Sequence, residues 1–149
     1  MKKIITLCIF VVSWLATMNA QTTKTLSKSI NLAATKTIYI LLPGAVEVNE
    51  WEEDYIRVVT KLSVENMDEN IVKRLIILGR YNLVTETDKY GKLMVLKMPN
   101  VANFVTVKGV DLAEYYTFEI SAPKNYEVIV KEDLVPKGSH YKNTSKSSM

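Results

Sequence analysis

From Tyr55 to Val64 the chain alternates without a break: Ile56, Val58, Thr60, Leu62 and Val64 fall on one side, and Arg57, Lys61 and Ser63 lie among the residues on the other. Side chains of an extended chain point by turns to opposite faces, so this period of two prescribes a strand with one buried face. The same period recurs along most of the chain. Lys36 to Leu42 carries Ile38, Ile40 and Leu42 on one face and Tyr39 and Leu41 on the other, which predicts a central strand. Pro43-Gly44 then punctuates the chain as a turn. Val46 and Val48 alternate with Glu47 and Asn49, and this strand is expected to pair with Tyr55–Val64 as a hairpin whose turn is acidic.

The period changes once. Asn66 and Glu69 have the spacing of a capping box, Gly79 is a natural terminator, and Ile71, Val72, Leu75 and Ile76 fall at helical spacing between them. One helix is expected over about 66–79. Alternation returns at Tyr81, turns at Asp88-Lys89-Tyr90-Gly91 and runs back over Leu93 to Met98. Asn100 to Leu112 is less regular, with Phe104, Val105 and Val107 as expected core contacts. The strands Tyr116–Ser121 and Tyr126–Lys131 are expected to form a last hairpin around Ala122-Pro123-Lys124-Asn125. The fold class is therefore mainly β: an antiparallel β-sandwich or a short β-solenoid-like module with one helix. With 48% hydrophobic and 23% charged residues in 149, there is room for one globular domain.

The ends of the chain read differently. Lys2 and Lys3 precede the uncharged run Ile4 to Met18 and the junction Asn19-Ala20-Gln21, the layout of a signal peptide over residues 1–20, with a retained anchor as the alternative. A spanning helix needs about 20 apolar residues, more than this run supplies. Cys8 does not close the apolar run or follow a small residue, so it does not fit a lipid-accepting cysteine. Residues 21–25 read as a polar leader, 26–135 as the β-rich domain, and 136–149 as a flexible polar tail with too few apolar residues to offset the entropy of ordering. The expected location is outside the cytoplasm, in the periplasm, on the cell surface or secreted, with no stable membrane span once the signal is cleaved.

Cys8 and His140 are the only residues of their types, one in the apolar run and one in the tail. That leaves almost no material for a Cys–His pair, a Ser-His-Asp triad or a zinc site. The formal charge of +3 falls to +1 without Lys2 and Lys3, which removes the main electrostatic support for nucleic-acid binding. Ser121-Ala122-Pro123-Lys124 and Ser139-His140-Tyr141-Lys142 match a nucleophile–base spacing that works only on a helix, and neither sits on one.

Glu47, Glu50, Glu52, Glu53 and Asp54 are read as a solvated turn in preference to a Ca²⁺ site, because EF-hand spacing is absent. Trp51 stands among these carboxylates, either as a recognition platform or folded back on the strand edge. Of the adjacent pair Tyr115-Tyr116, one ring is expected inside and one outside. Trp51, Tyr55 and Tyr115 are the candidate binding residues; no catalytic residue, metal ligand or cofactor is expected.

Two stretches carry a family resemblance. Gly44-Ala45-Val46-Glu47-Val48-Asn49-Glu50-Trp51-Glu52-Glu53-Asp54-Tyr55-Ile56-Arg57-Val58 resembles the DUF4097-type adhesin-like domains: a glycine, an alternating strand, a Trp near an acidic turn, and a second alternating strand. Tyr116 to Val128 is similar to the strand–Pro–turn–strand unit of that family. The Lys-Lys start and the Ala-Gln junction resemble exported proteins of Bacteroidetes-type bacteria. The resemblance spans about residues 36–132. It implies a β-rich module and contact with an envelope protein or a glycan, with no established catalytic residues. The repeated solenoid turns typical of that family are missing here. A small-ligand-binding or envelope-stress accessory protein is the alternative, and an enzyme using carboxylates of the Trp51 turn is a third reading.

Overall fold

A computed structural model describes residues 21–32 and 34–131. The expected signal peptide, residues 132–135 of the expected domain, and the expected tail lie outside the described residues. Within them the protein is mainly β, with strands β1 (Gln21–Asn31), β2 (Thr37–Leu41), β3 (Ala45–Trp51), β4 (Tyr55–Glu65), β5 (Val84–Thr87), β6 (Leu93–Lys97), β7 (Thr106–Val107), β8 (Val110–Asp111), β9 (Ala113–Pro123) and β10 (Glu127–Val130). One α-helix, α1 (Glu69–Ile77), and a 3-10 turn at Pro99–Ala102 complete the described elements.

Two four-stranded sheets form the body, in the orders β1-β4-β9-β3 and β10-β2-β6-β5, with β7-β8 as a small separate ribbon. Ile56, Val58, Leu62 and Val64 of β4, together with Phe118 and Ile120 of β9, face Ile38, Ile40 and Leu96 of the second sheet across one hydrophobic core. The architecture is sandwich-like. The alternation in β4 is obeyed in full, since all five inward residues including Thr60 are buried. β2 is central as expected, between β10 and β6.

The pairing is where the expectations need correction. The sheets are mixed rather than antiparallel, because β3–β9, β10–β2 and β2–β6 all run parallel. β3 and β4 do not form a hairpin: β9 lies between them, parallel to β3 and antiparallel to β4. Two steps of about 4.8 Å separate β3 from β4, a gap that Glu52–Asp54 can bridge over the end of β9. β9 and β10 likewise do not pair, as the chain changes sheets at Pro123–Tyr126 and β10 joins β2. The hairpin expected at Asp88–Gly91 is present, pairing β5 with β6.

Three smaller expectations also change. Gln21–Thr25, read as a leader, are the first half of β1 and pair with Lys61–Glu65 of β4. The helix starts later than its sequence signature: Asp68 is the N-cap, without a side-chain cap hydrogen bond, and Asn66 takes a positive φ of 54° instead of capping. Its C-terminus follows expectation. The amides of Gly79 and Arg80 donate to the carbonyls of Ile76 and Leu75, both at 3.0 Å, and Gly79 has φ 78°, which together make a Schellman ending. Phe104, expected as a core contact, is 67% exposed, because Asn103 and Phe104 lie on the loop that leads from the 3-10 turn to β7.

Candidate functional site

Register places the candidate binding residues on one surface. On β4 the residues between the buried ones, Tyr55, Arg57, Val59, Lys61 and Ser63, face away from the core. Their neighbours on β9 are Ser121 opposite Arg57, Glu119 opposite Val59, Thr117 opposite Lys61 and Tyr115 opposite Ser63. On β3, Trp51 is opposite Pro123, Asn49 opposite Ser121 and Glu47 opposite Glu119. β1 supplies Thr23, Thr25, Ser27, Ser29 and Asn31 to the same surface. The outer face of the first sheet is thus a polar plain with aromatic groups at its two ends.

Trp51 and Tyr55 meet at one end. Their rings pack edge to face with centroids 4.7 Å apart, and the Trp51 indole Nε1 donates to the Tyr55 carbonyl at 2.9 Å. The guanidinium of Arg57 lies 5.1 Å from the centroid of the Trp51 ring, within cation–π range. The indole therefore straps the short link between β3 and β4 across the end of β9, and its ring is neither buried nor fully exposed. The indole nitrogen thus folds back on the chain, and Tyr55 and Arg57 lie against the ring. Tyr115 shares that face but not that cluster. It stands eight positions away along β4, about 26 Å at about 3.3 Å per residue. Of Tyr115-Tyr116, the second is the inward ring, 8% exposed and stacked toward Phe118.

The acidic residues near this end are arranged as a solvated rim. Glu47, Glu50, Glu52, Glu53 and Asp54 are exposed. Glu52 pairs with Lys124, and Asn49 Nδ2 donates to Glu47 at 3.4 Å. Among the described residues no group of three or more acidic, His or Cys side chains is placed to hold a metal ion. On the same face Lys61 pairs with Glu119, which offsets the juxtaposition of Glu119 with Glu47.

A second constellation escaped sequence reading. Arg80 and Glu114 are buried at the far end of the core, with side chains 9% and 7% exposed. Arg80 Nε donates to Glu114 Oε1 at 2.8 Å and Nη2 to Oε2 at 2.7 Å, while Nη1 donates to the carbonyls of Asn100 and Asn103 at 3.3 and 3.0 Å. The Tyr81 hydroxyl donates to Glu114 Oε1 at 2.6 Å, and Asn100 Nδ2 donates to the Gly79 carbonyl at 3.0 Å.

Burial opposes the charge on Arg80, but the hydrogen bonds and attraction of Glu114 outweigh it and hold the guanidinium pKa above its ordinary value. Burial, and after it the Glu114 hydrogen bond, pushes the Tyr81 hydroxyl well above its usual range; burial does the same to Tyr116. All three groups keep one protonation state across physiological pH, so the cluster acts as a clamp joining the end of α1, the 3-10 turn and β9. One sequence signal was available: Glu114 continues the inward series Tyr116, Phe118, Ile120.

No family model and no curated protein matches the chain. Among solved structures the chain is similar to one described as a "putative cell adhesion protein" from Clostridium sporogenes, at 11% identity and a TM-score of 0.42, over 73% of this chain and 46% of that one. The chain thus spans under half the length of that protein. No helix among the described residues is long and apolar enough to cross a membrane.

Proposed function

We propose that the protein is an exported, non-enzymatic, adhesin-like interaction domain that contacts a protein or a glycan at the cell envelope. The observation that carries this reading is the Trp51–Tyr55–Arg57 cluster on the solvent side of the first sheet. Aromatic rings braced by the backbone offer a large contact area at little entropic cost, and an Arg laid over the indole adds a planar donor. Export is supported by Lys2, Lys3 and the uncharged run that follows them. The non-enzymatic reading is supported by the sequence, in which Cys8 and His140, the only residues of their types, stand in the apolar N-terminal run and in the polar C-terminal stretch.

Fractionation tests the location: processed chain beginning near Gln21 in the envelope fraction is expected, and full-length chain confined to the cytosol overturns it. Intrinsic fluorescence tests the contact. Trp14 and Trp51 are the two tryptophans, so in a chain cleaved after Ala20 emission reports Trp51 alone. Envelope glycans and envelope proteins separated from the same cells are expected to shift that emission saturably, and Y55A and R57A to weaken the response about tenfold. A flat titration with every fraction overturns the contact reading.

A further inference from the structure

We infer that the open edge of β3 accepts an extended, basic segment of another protein as an added strand. This rests on the contact reading above and names where and by what chemistry one such contact is made. The two sheets leave four edges, β1, β3, β5 and β10. β5 and β10 offer four residues each. β1 offers eleven, but Lys24 and Lys28 sit opposite Leu62 and Val58 and so point to the inner face, where Lys24 pairs with Glu69 and Lys28 donates to the Leu83 carbonyl. Inward charges on an edge strand are a known obstacle to further pairing.

β3 carries one charge of inner-face parity, Glu50 opposite Ala122, but it lies exposed near the end of the strand and leaves Ala45–Asn49 clear. It runs for seven residues, pairs along one side with β9, and keeps Val46 and Val48 half-buried on the inner face. A strand added to its free side gains main-chain hydrogen bonds and can seat small apolar residues beside those valines.

Charge selects the occupant. Glu47 lies on the outer face of this edge, Glu53 and Asp54 follow at its tip, and Glu50, of inner-face parity, is exposed near the end of β3. Two β3 edges brought together would confront these carboxylates with their own copies, which disfavours pairing between like edges. The β1 edge of a second copy does not satisfy them either, since its lysines are turned inward and engaged. An extended segment with Lys or Arg at alternate positions meets both requirements.

The test uses an end-blocked nine-residue peptide alternating Lys with Val and Thr, read by amide hydrogen exchange of the whole protein and by anisotropy of the labelled peptide. Slowed exchange confined to residues 45–51 is expected, with an affinity that falls at least tenfold between 50 and 500 mM salt. A Glu-for-Lys peptide and a peptide with a central proline are expected to bind at least tenfold more weakly, as is E47K/E50K protein with an unchanged thermal melt. Equal binding of the proline peptide, protection at β1, β5 or β10 instead, or no protection at β3 overturns the inference. Because the peptide is read at the β3 amides and the envelope contact at Trp51, a response at Trp51 with none at β3 overturns strand addition while leaving the contact reading standing.

Discussion

Arg80 and Glu114 form a two-pronged ion pair at 2.8 and 2.7 Å, and each side chain is under a tenth exposed. Removing one member of a buried pair leaves the other charged and without a counter-ion, which costs about 3–5 kcal/mol. E114Q and R80M are each expected to lower unfolding free energy by about that amount. The double variant R80M/E114Q is expected to cost less than the two singles added, because the orphaned charge is gone. Urea unfolding of the four proteins checks both statements.

Gly44 has φ 143°, and a Cβ there would meet the Tyr116 carbonyl oxygen at 2.4 Å. Both the dihedral and the contact exclude a side chain, so G44A is expected to destabilise by about 2–3 kcal/mol. Gly91 also has positive φ, at 69°, but nothing lies within 4 Å of the built Cβ. G91A should therefore cost only the dihedral strain, about 1 kcal/mol. A thermal melt showing G91A as damaging as G44A would contradict the close approach between Gly44 and β9.

These two sites mark the limit of what alternation reveals. The period of two in Tyr55–Val64 established which side chains of β4 are inward, because the pleat ties sequence parity directly to the face. It carries no information on which strand lies alongside. Short links made β3–β4 and β9–β10 look like hairpins, yet Glu52–Asp54 spans a strand and Pro123–Tyr126 changes sheets. Those choices depend on contacts far apart in sequence, such as the parallel register of Val46 with Phe118.

The candidate site was legible to the same degree. Trp51 and Tyr55 came from local patterning and do meet, because their meeting needs only the four-residue reach of one link. Arg80 and Glu114 are 34 positions apart and were not read as partners, although parity already turned Glu114 inward. The capping-box expectation failed for a local reason: with positive φ at Asn66, the helix is entered two residues later, at Asp68.

Asp88 predicts a pH response. Its Oδ1 accepts the amides of Lys92 and Leu93 at 2.7 and 2.9 Å, closing the β5–β6 hairpin. The Leu93 amide is the largest cause of its lowered pKa, with the Lys92 amide also contributing. A carboxyl that is more acidic folded than unfolded stabilises the fold above its ordinary pKa, and the contribution fades as pH falls toward the folded value. Exchange of the hairpin amides is therefore expected to accelerate beyond the intrinsic trend as pH falls below about 4, the ordinary aspartate value. D88N keeps an oxygen acceptor at every pH and should flatten that dependence, whereas D88A should show fast exchange throughout.

The inward lysines of β1 give the last prediction. Lys24 and Lys28 occupy positions whose β4 partners, Leu62 and Val58, are fully in the core, so their stems cross apolar surface before the ammonium groups reach Glu69 and the Leu83 carbonyl. The Lys24–Glu69 pair is partly exposed, with side chains 27% and 55% accessible, so solvent screens it and leaves it a weak contribution. Replacing both lysines by valine exchanges weak ion pairing for apolar contact, so the melting temperature is expected to change little. What should change is behaviour at the edge. Without the two charges, β1 presents eleven residues of unobstructed backbone, and K24V/K28V is expected to self-associate at concentrations where the parent stays monomeric. Sedimentation velocity over a hundredfold concentration range checks this; a double variant no more associated than its parent would show that the inward lysines do not guard the edge.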